Sequence, residues 1–274
     1  LEALVLILIT FLGSLAVYEV VKRIGAIRPL WGLKPLNGRP WPLDWSALSR
    51  PQALYHRRRR LLAIGVAAPL LALTVVAVAI AAYPGFDNAT QYLSELGGET
   101  AATPLIFNGG VFVAGVMAAL AGVGFGLAVY ALTEARTASV VTALVFIVAG
   151  AGMSASTLYP WPDPRHMVIN LGLGIQLAPA FLLWGLASRR DLPRLKAFLA
   201  VTFVLMALLT VVTKHLVFPG MVNDANVGWW ERAYAIVLVC WVGVAAWLLD
   251  RKLLKDALES PKDRRSDAVL ENPG

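Results

Sequence analysis

The chain has 274 residues, of which 58% are hydrophobic and 15% are charged, and its formal net charge is +7. Soluble domains are about 45–50% apolar and about 25% charged, so the composition excludes an ordinary soluble protein. The basic residues flank apolar runs, which points to membrane topology and anionic lipid headgroups rather than to nucleic acid. The single cysteine, Cys240, excludes an internal disulfide and a cysteine cluster that binds a metal.

Seven apolar segments are long enough to cross the hydrocarbon core of a bilayer as helices. They cover Leu4–Val21, Leu61–Tyr83, Pro104–Leu132, Ala138–Leu158, His166–Ser188, Leu195–Phe218 and Trp229–Leu249. The predicted fold class is all-α, a polytopic membrane bundle of seven transmembrane helices. We expect a peripheral helix in residues 1–23, a six-helix core in residues 61–252 and a polar cytoplasmic tail in residues 253–274.

Residues 24–60 combine prolines and basic residues with three tryptophans, Trp31, Trp41 and Trp45. Tryptophan beside cations is typical of a membrane interface. We therefore expect a cytoplasmic interfacial segment with a short helix from about Trp45 to Arg58, and an ordinary solvated loop is the alternative. This segment, or the first helix, is the predicted docking surface for a protein partner in a membrane complex.

Four consecutive arginines, Arg57 to Arg60, directly precede the second apolar segment. Basic residues resist transfer across a membrane and stay on the cytoplasmic side. Alternation of the helices then places the N-terminus outside and the C-terminus in the cytoplasm. It leaves Arg165, Lys214 and Arg232 as the basic residues outside. The sequence thus predicts a multi-pass protein of the cell membrane.

Two features predict how the helices pack. Gly122 and Gly126 form a GxxxG pair in the third apolar segment, and glycine lets helix backbones approach closely in lipid. Packing within the bundle is the favoured interpretation, and a dimer motif is the alternative. Gln176 is the main polar side chain near mid-membrane depth, where we expect it to form an interhelical hydrogen bond.

Ionisable and amide side chains collect where the helices end on the predicted outer side. Such groups are costly near membrane depth and are usually paired, so they are candidates for a functional site. A ligand-binding site and a salt-bridged structural cap are the two interpretations. The candidate residues are Asp87, Glu95, Asn108, Arg165, Lys214, Asp224, Glu231 and Arg232.

Three stretches of the outer side carry a resemblance. YPGFDNATQYLSELGG begins at Tyr83, DPRH begins at Asp163, and WWER ends at Arg232. From about residue 60 to residue 250, the chain resembles a prokaryotic family of uncharacterised multi-pass membrane proteins, which implies about six core helices and no assigned activity. The positions that match the family's motifs are Ser94, Glu95, Gly97, Asp163, His166, Glu231 and Arg232.

The favoured hypothesis about function is a non-catalytic membrane protein. It would be an accessory subunit, or it would bind membrane lipids or another small molecule at the outer face. This hypothesis predicts no cofactor. Asn88 opens an acceptor sequence for N-glycosylation, but it lies so close to a helix end that we do not expect occupancy.

The second hypothesis is a membrane-embedded hydrolase that acts on lipid at the outer face. Ser94 would be the nucleophile. His166 or His215 would be the base, and Asp163 or Asp87 would orient it. Alternatively, the two histidines and a carboxylate would hold zinc with one open position.

The third hypothesis is an electron-transfer subunit that binds haem or a quinone. His166 begins one predicted helix and His215 ends the next, so their imidazoles would lie at similar depth. Two histidines that face each other across helices are able to ligate haem axially. A structural, hydrogen-bonded histidine is the alternative at both positions.

Overall fold

The computed structural model describes residues 51–169, 174–213 and 220–259. These residues form seven α-helices and no β-strand, which confirms the predicted all-α class for this part of the chain. The helices are α1 (Pro51–Ala81), α2 (Pro104–Thr133), α3 (Arg136–Ser156), α4 (Pro164–Ile169), α5 (Gly174–Gly185), α6 (Pro193–Thr213) and α7 (Val227–Glu259). A short 3-10 helix, Leu93–Gly97, lies between α1 and α2.

Some predicted features lie outside the described residues. They are the first apolar segment, most of the interfacial segment, the tail beyond Glu259, and the candidate residues Lys214 and His215. The chain divides into two compact units, Leu1–His56 and Arg57–Gly274. The contacts described below are all within the second unit.

Among the described residues, five helices are long and apolar enough to cross a membrane, namely α1, α2, α3, α6 and α7. α5 is also apolar but is shorter, over Ile175–Gly185. The predicted fifth crossing, His166–Ser188, corresponds to α4 and α5, and residues 170–173 between them are not described. The prediction of a multi-pass helical membrane protein is thus confirmed for the described ranges.

α1 is longer than the sequence predicted. It begins at Pro51, whereas we expected a short interfacial helix that ends near Arg58 and a separate membrane helix from Leu61. Proline is favourable at a helix start, and no proline or glycine follows it until Gly65. A single helix therefore replaces the two predicted elements, and this part of the prediction is wrong.

α7 is also longer than predicted, because it runs to Glu259 instead of ending near Leu249. Lys252 pairs with Asp256 one helical turn later, with Nζ and Oδ1 2.6 Å apart. Leu253 between them is buried. An ion pair at this spacing and a buried leucine both stabilise the extra turns, which the sequence prediction places in the polar tail.

α2 and α3 pack closely because glycines remove side chains from their interface. A Cβ on Gly126 would lie 2.6 Å from the carbonyl oxygen of Ser139, and one on Gly122 would overlap the Cβ of Phe146. Ser154 Oγ donates a hydrogen bond to Phe112 O at 2.9 Å. The GxxxG pair therefore packs within the bundle, as the favoured interpretation predicted.

An aromatic cluster joins α2, α3 and α7. The rings of Phe125 and Phe146 stack with centroids 4.6 Å apart, and the Trp241 ring lies 5.7 Å from that of Phe146. α1 completes the packing at Gly65, where a Cβ would lie 3.1 Å from the Cβ of Ala246. Aromatic pairs at these distances stabilise beyond their buried area.

One polar cluster ties α5, α6 and α7 together inside the bundle. Thr210 Oγ1 lies 2.9 Å from Gln176 Oε1, and Tyr234 OH lies 2.7 Å from the same oxygen. Both hydroxyls donate to Gln176. The interhelical hydrogen bond expected for Gln176 is therefore present, and it involves two neighbouring helices.

The basic rim is the end of the second unit that contains Arg57–Arg60, the turns at 134–135 and 186–192, and residues 250–256. Arg59 Nε and Nη2 donate to the carboxylate of Asp250 at 2.7 and 3.0 Å. Arg189 Nη1 donates to Leu132 O at 3.0 Å. These bonds bring together the segments that the sequence predicted to share one side of the membrane.

A four-residue ion network closes the basic rim. Arg189 Nη2 lies 2.7 Å from Asp191 Oδ2 and 3.2 Å from Asp256 Oδ2. Lys252 Nζ contacts the same two carboxylates at 2.5 and 2.6 Å. Hydrogen bonds from Arg189 and Lys252 hold the pKa of Asp191 far below its usual range.

Candidate functional site

The polar cap lies at the opposite end of the second unit. It consists of the loop 82–103, the segment 157–166 and the segment 220–232. The first two segments touch, because a Cβ on Gly98 would lie 2.8 Å from Trp161 O, and the rings of Tyr92 and Trp161 are 6.0 Å apart. The described candidate residues all belong to this cap except Asn108, which adjoins it in the second turn of α2.

Asp87 organises the first half of the loop. Its carboxylate accepts hydrogen bonds from Ala89 N–H at 2.8 Å and from the hydroxyl of Thr90 at 2.9 Å. Gly85, two residues earlier, has a φ of 78° and makes the turn that glycine permits. The bonds to Ala89 and Thr90 lower the pKa of Asp87. Asp87 therefore acts as a turn residue within the loop.

Glu95 organises the second half of the same loop. Its Oε1 accepts a hydrogen bond from Tyr92 N–H at 2.8 Å, as in a capping box at the start of the 3-10 helix. Its Oε2 accepts one from Gln91 Nε2 at 3.0 Å. Both carboxylate oxygens are thus used locally.

Glu231 connects α7 to this loop. Its Oε2 accepts a hydrogen bond from Leu93 N–H at 2.5 Å, and Leu93 begins the 3-10 helix. Glu231 is half-buried, where an unpaired polar group would be costly. The acidic member of the WWER motif therefore bonds to the backbone of a distant loop.

Arg232 holds the loop from the neighbouring position. Its Nε donates to Asn88 Oδ1 at 3.0 Å, and its Nη1 donates to Gln91 O at 3.0 Å and to Gly228 O at 2.7 Å. Its guanidinium also lies 5.2 Å from the ring centre of Phe86. Its buried Nη2 has no hydrogen-bond partner among the residues that the structure describes. One side chain thus binds three separate acceptors.

Gly228 permits this docking of α7, a role that was not predicted from the sequence. Gly228 N–H donates to Ala89 O at 2.8 Å. A Cβ on Gly228 would lie 2.5 Å from Asn88 O and 2.7 Å from Gln91 O. The sequence signal is a glycine directly before the WWER motif, and the roles of Asn88 and Gln91 carry no comparable signal.

Asn108 and Gly97 fix the end of the loop to α2. Asn108 Nδ2 donates to Gly97 O at 2.9 Å. Gly97 has no room for a side chain, because a Cβ there would overlap the amide of Asn108. Gly97, one of the positions that match the family's motifs, therefore serves close packing.

Asp163 and Arg165 form a local pair in the second segment of the cap. Asp163 Oδ1 accepts from Arg165 N–H at 2.8 Å and so caps the start of α4. The Arg165 side chain binds the same carboxylate, with Nη2 2.6 Å from Oδ2, and lies 4.0 Å from the ring centre of Tyr159. The hydrogen bonds from Arg165 lower the pKa of Asp163 to about 2.

His166 binds the end of α3. Its Nδ1 lies 2.9 Å from Tyr159 O and 3.2 Å from Ser156 O. Carbonyl oxygens only accept, so Nδ1 carries a proton and donates it to them. A histidine that satisfies carbonyls at a helix C-terminus is a structural arrangement.

The remaining candidates are not brought together by the described part of the chain. No hydrogen bond joins Ser94 to His166 or Asp163 there, and none joins the exposed Asp224 to another residue. No three His, Cys, Asp or Glu side chains among the described residues are placed to hold a metal ion. Lys214 and His215 lie outside these residues.

Comparison with known proteins identifies one family. No curated protein and no solved structure matches the chain. A family described as Protein of unknown function (DUF998) matches residues 66–248, which include every segment of the polar cap. The range agrees with the resemblance found in the sequence, which is confirmed, and the chain belongs to the DUF998 family.

Proposed function

We propose that this protein is a non-catalytic, multi-pass protein of the cell membrane that works as an accessory subunit. Its N-terminus and its polar cap face the outside, and its basic rim faces the cytoplasm. One observation carries the proposal. In the cap, the described charged candidates other than Asp224 bond to the chain itself, which favours a structural cap over a catalytic centre.

The protonation and pairing of the cap residues support the non-catalytic interpretation. A general base needs a free nitrogen within reach of the nucleophile. His166 Nδ1 donates to two carbonyls, which leaves Nε2 as its basic nitrogen, but no hydrogen bond joins His166 to Ser94 in the described part of the chain. An orienting acid should face that base, whereas Asp163 binds Arg165. Ser94 forms no hydrogen bond with a histidine or with an acidic side chain among the described residues.

The surface of the cap supports a binding role. Trp229 is 59% exposed and Leu158 is 67% exposed, and the acidic side chains of Asp224 and Glu99 are exposed at the same end. Exposed aromatic and apolar groups beside acids suit a partner with an amphipathic, basic surface. We therefore propose a partner contact on the face around Trp229, in addition to the docking surface predicted in residues 24–60 or the first apolar segment, which lies largely outside the described residues.

Photo-crosslinking in intact membranes tests this proposal. A photoreactive amino acid replaces Trp229 in one variant and Trp184, which is 50% exposed on α5, in the control. We expect a discrete protein adduct from position 229 and only lipid adducts from position 184. The same lipid-only pattern from both positions would contradict an accessory role. Turnover of a lipid ester that is lost in Ser94→Ala would contradict the non-catalytic interpretation.

A further inference from the structure

We propose that the basic rim holds the phosphate headgroup of an anionic phospholipid between the start of α6 and the end of α7. One acyl chain of this lipid lies along the exposed face of α6. This site is at the opposite end from the polar cap, so it does not depend on the proposed function. Three features carry this proposal: a pocket, two arginines without side-chain partners in the described part of the chain, and an apolar stripe on α6 in register with one of these arginines.

A pocket opens at the rim where α6 begins beside α7. Its volume is about 310 Å³, which is near the lower end of the range for small-molecule sites, about 300–1,000 Å³. Apolar side chains and one arginine dominate its lining. The lining residues are Asp191, Leu192, Pro193, Arg194, Leu195 and Leu248.

The charges around the pocket favour an anion. The one acid in its lining, Asp191, is already bound by Arg189 and Lys252, so it does not repel an incoming phosphate. Arg190 and Arg194 are exposed, and neither has an ion pair or hydrogen bond from its side chain in the described part of the chain. A guanidinium donates two parallel hydrogen bonds to a phosphate group.

An apolar stripe continues from Arg194 along α6. Val201, Val204, Leu205 and Leu208 are exposed, with Val201 at 66%. Their spacing of three and four residues places them on one helix face, and Arg194 lies on it one heptad before Val201. From Arg194 to Leu208 the helix rises about 21 Å at 1.5 Å per residue, which exceeds the thickness of one leaflet of the core, about 15 Å.

The arginines at the pocket and the apolar stripe on α6 together identify the class of ligand. A free phosphate would use the arginines and leave the apolar stripe uncovered. A neutral lipid would cover the stripe and leave both guanidinium groups without an anion. An anionic phospholipid with one chain on α6 satisfies both, and α6 is one of the helices able to cross a membrane.

Native mass spectrometry of the detergent-purified full chain tests the site. The protein is offered equal amounts of phosphatidylglycerol and phosphatidylcholine. We expect preferential retention of phosphatidylglycerol, and Arg194→Gln should lower its occupancy about fivefold, from roughly 1 kcal/mol per basic residue at an anionic membrane surface. Arg136→Gln is the matched control, since Arg136 is an exposed arginine in the first turn of α3 on the same rim. This control should change occupancy less than twofold.

Further experiments distinguish the contribution of the lipid headgroup from that of the acyl chain. Val204→Ser with Leu208→Ser should weaken retention of long-chain phosphatidylglycerol and spare a six-carbon analogue. Inorganic phosphate alone should not displace the bound lipid. Equal losses in Arg194→Gln and Arg136→Gln, no preference over phosphatidylcholine, or displacement by inorganic phosphate would each overturn the proposal. Circular dichroism confirms that each variant is folded before its result is used.

Discussion

The carboxylate of Glu231 accepts a hydrogen bond from the backbone N–H of Leu93 at 2.5 Å, across 138 residues of sequence. This bond joins the first turns of α7 to the 3-10 helix of the loop 82–103. Arg232, the next residue, binds the other half of that loop. The acid and the cation of one motif thus hold the two halves of one loop, which explains why both are present without binding each other.

Replacing Glu231 tests the strength of this connection. Glu231→Ala leaves the N–H of Leu93 without its acceptor, and we expect a loss of about 1–3 kcal/mol in unfolding free energy. Glu231→Gln keeps an acceptor and should lose less. Thermal unfolding in detergent measures both, at about 2–4 °C per kcal/mol. Glu99→Ala, an exposed acid of the same loop, is the control and should leave the midpoint unchanged.

Arg232→Lys tests the need for a forked donor. Lysine keeps the positive charge but has a single ammonium group, which is unable to span Asn88 and Gln91 as the guanidinium does. Loss of one such hydrogen bond costs about 1.5 kcal/mol or more. It should raise the population of the open form of the loop roughly tenfold. Limited proteolysis within residues 82–103 measures this opening. Unchanged cleavage relative to Arg165→Lys, the matched change in the neighbouring segment, would refute the role of Arg232.

Two glycines inside neighbouring helices predict opposite results. A Cβ on Gly150 of α3 would lie 2.7 Å from Ala119 N, whereas a Cβ on Gly109 of α2 would meet nothing within 4 Å in the described part of the chain. Gly150→Ala should force α2 and α3 apart and lose about 1–3 kcal/mol, as overpacking does. Gly109→Ala should be neutral or slightly stabilising, because alanine favours a helix. Chemical denaturation in mixed micelles compares the pair.

Asp163 predicts a pH dependence. Its pKa is lowered to about 2 in the folded protein, below the value of about 3.9 in an unfolded chain. Because the pKa is depressed, the ionised Asp163 carboxylate stabilises the folded state fully above about pH 4. This stabilisation is lost as the pH falls through about 2. Asp163→Asn should therefore flatten the decline in thermal midpoint between about pH 4 and pH 2. The effect should be small, because the pair with Arg165 is exposed to solvent.

Single cysteines test the proposed orientation. In a Cys240→Ser background, Glu99→Cys should react with a membrane-impermeant maleimide in intact cells. Arg136→Cys should react only after the membrane is permeabilised, because the basic rim faces the cytoplasm in the proposal. Both positions are exposed, so access of the reagent differs only by side. The reverse pattern would invert the proposed topology.

The sequence predicted most of the helices because their signals are local. The length of the apolar run predicted the C-terminal end of α2 to within one residue. Small residues at regular spacing indicated the helix contact at Gly122 and Gly126. The collection of polar residues at one end was also predictable. It follows from where each helix stops, which proline and glycine mark along the chain.

The pairing within the cap was not predictable in the same way. Glu231 and His166 both bind backbone atoms, and a backbone acceptor or donor has no signature in side-chain composition. The sequence therefore allowed His166 to be taken as a candidate base. Asp250 and Asp256 likewise lie beyond the predicted end of the last helix at Leu249, and their arginine partners, Arg59 and Arg189, come from distant segments of the chain.

The bond between Gly228 N–H and Ala89 O has a consequence for biosynthesis. α7 is the last of the described helices to leave the ribosome, while the loop that it holds is made before α2. That loop must wait, without its main anchors, through the insertion of every helix in between. A truncated chain that lacks α7 would present this loop at the membrane surface without its hydrogen bonds to α7, where quality-control proteases would recognise it.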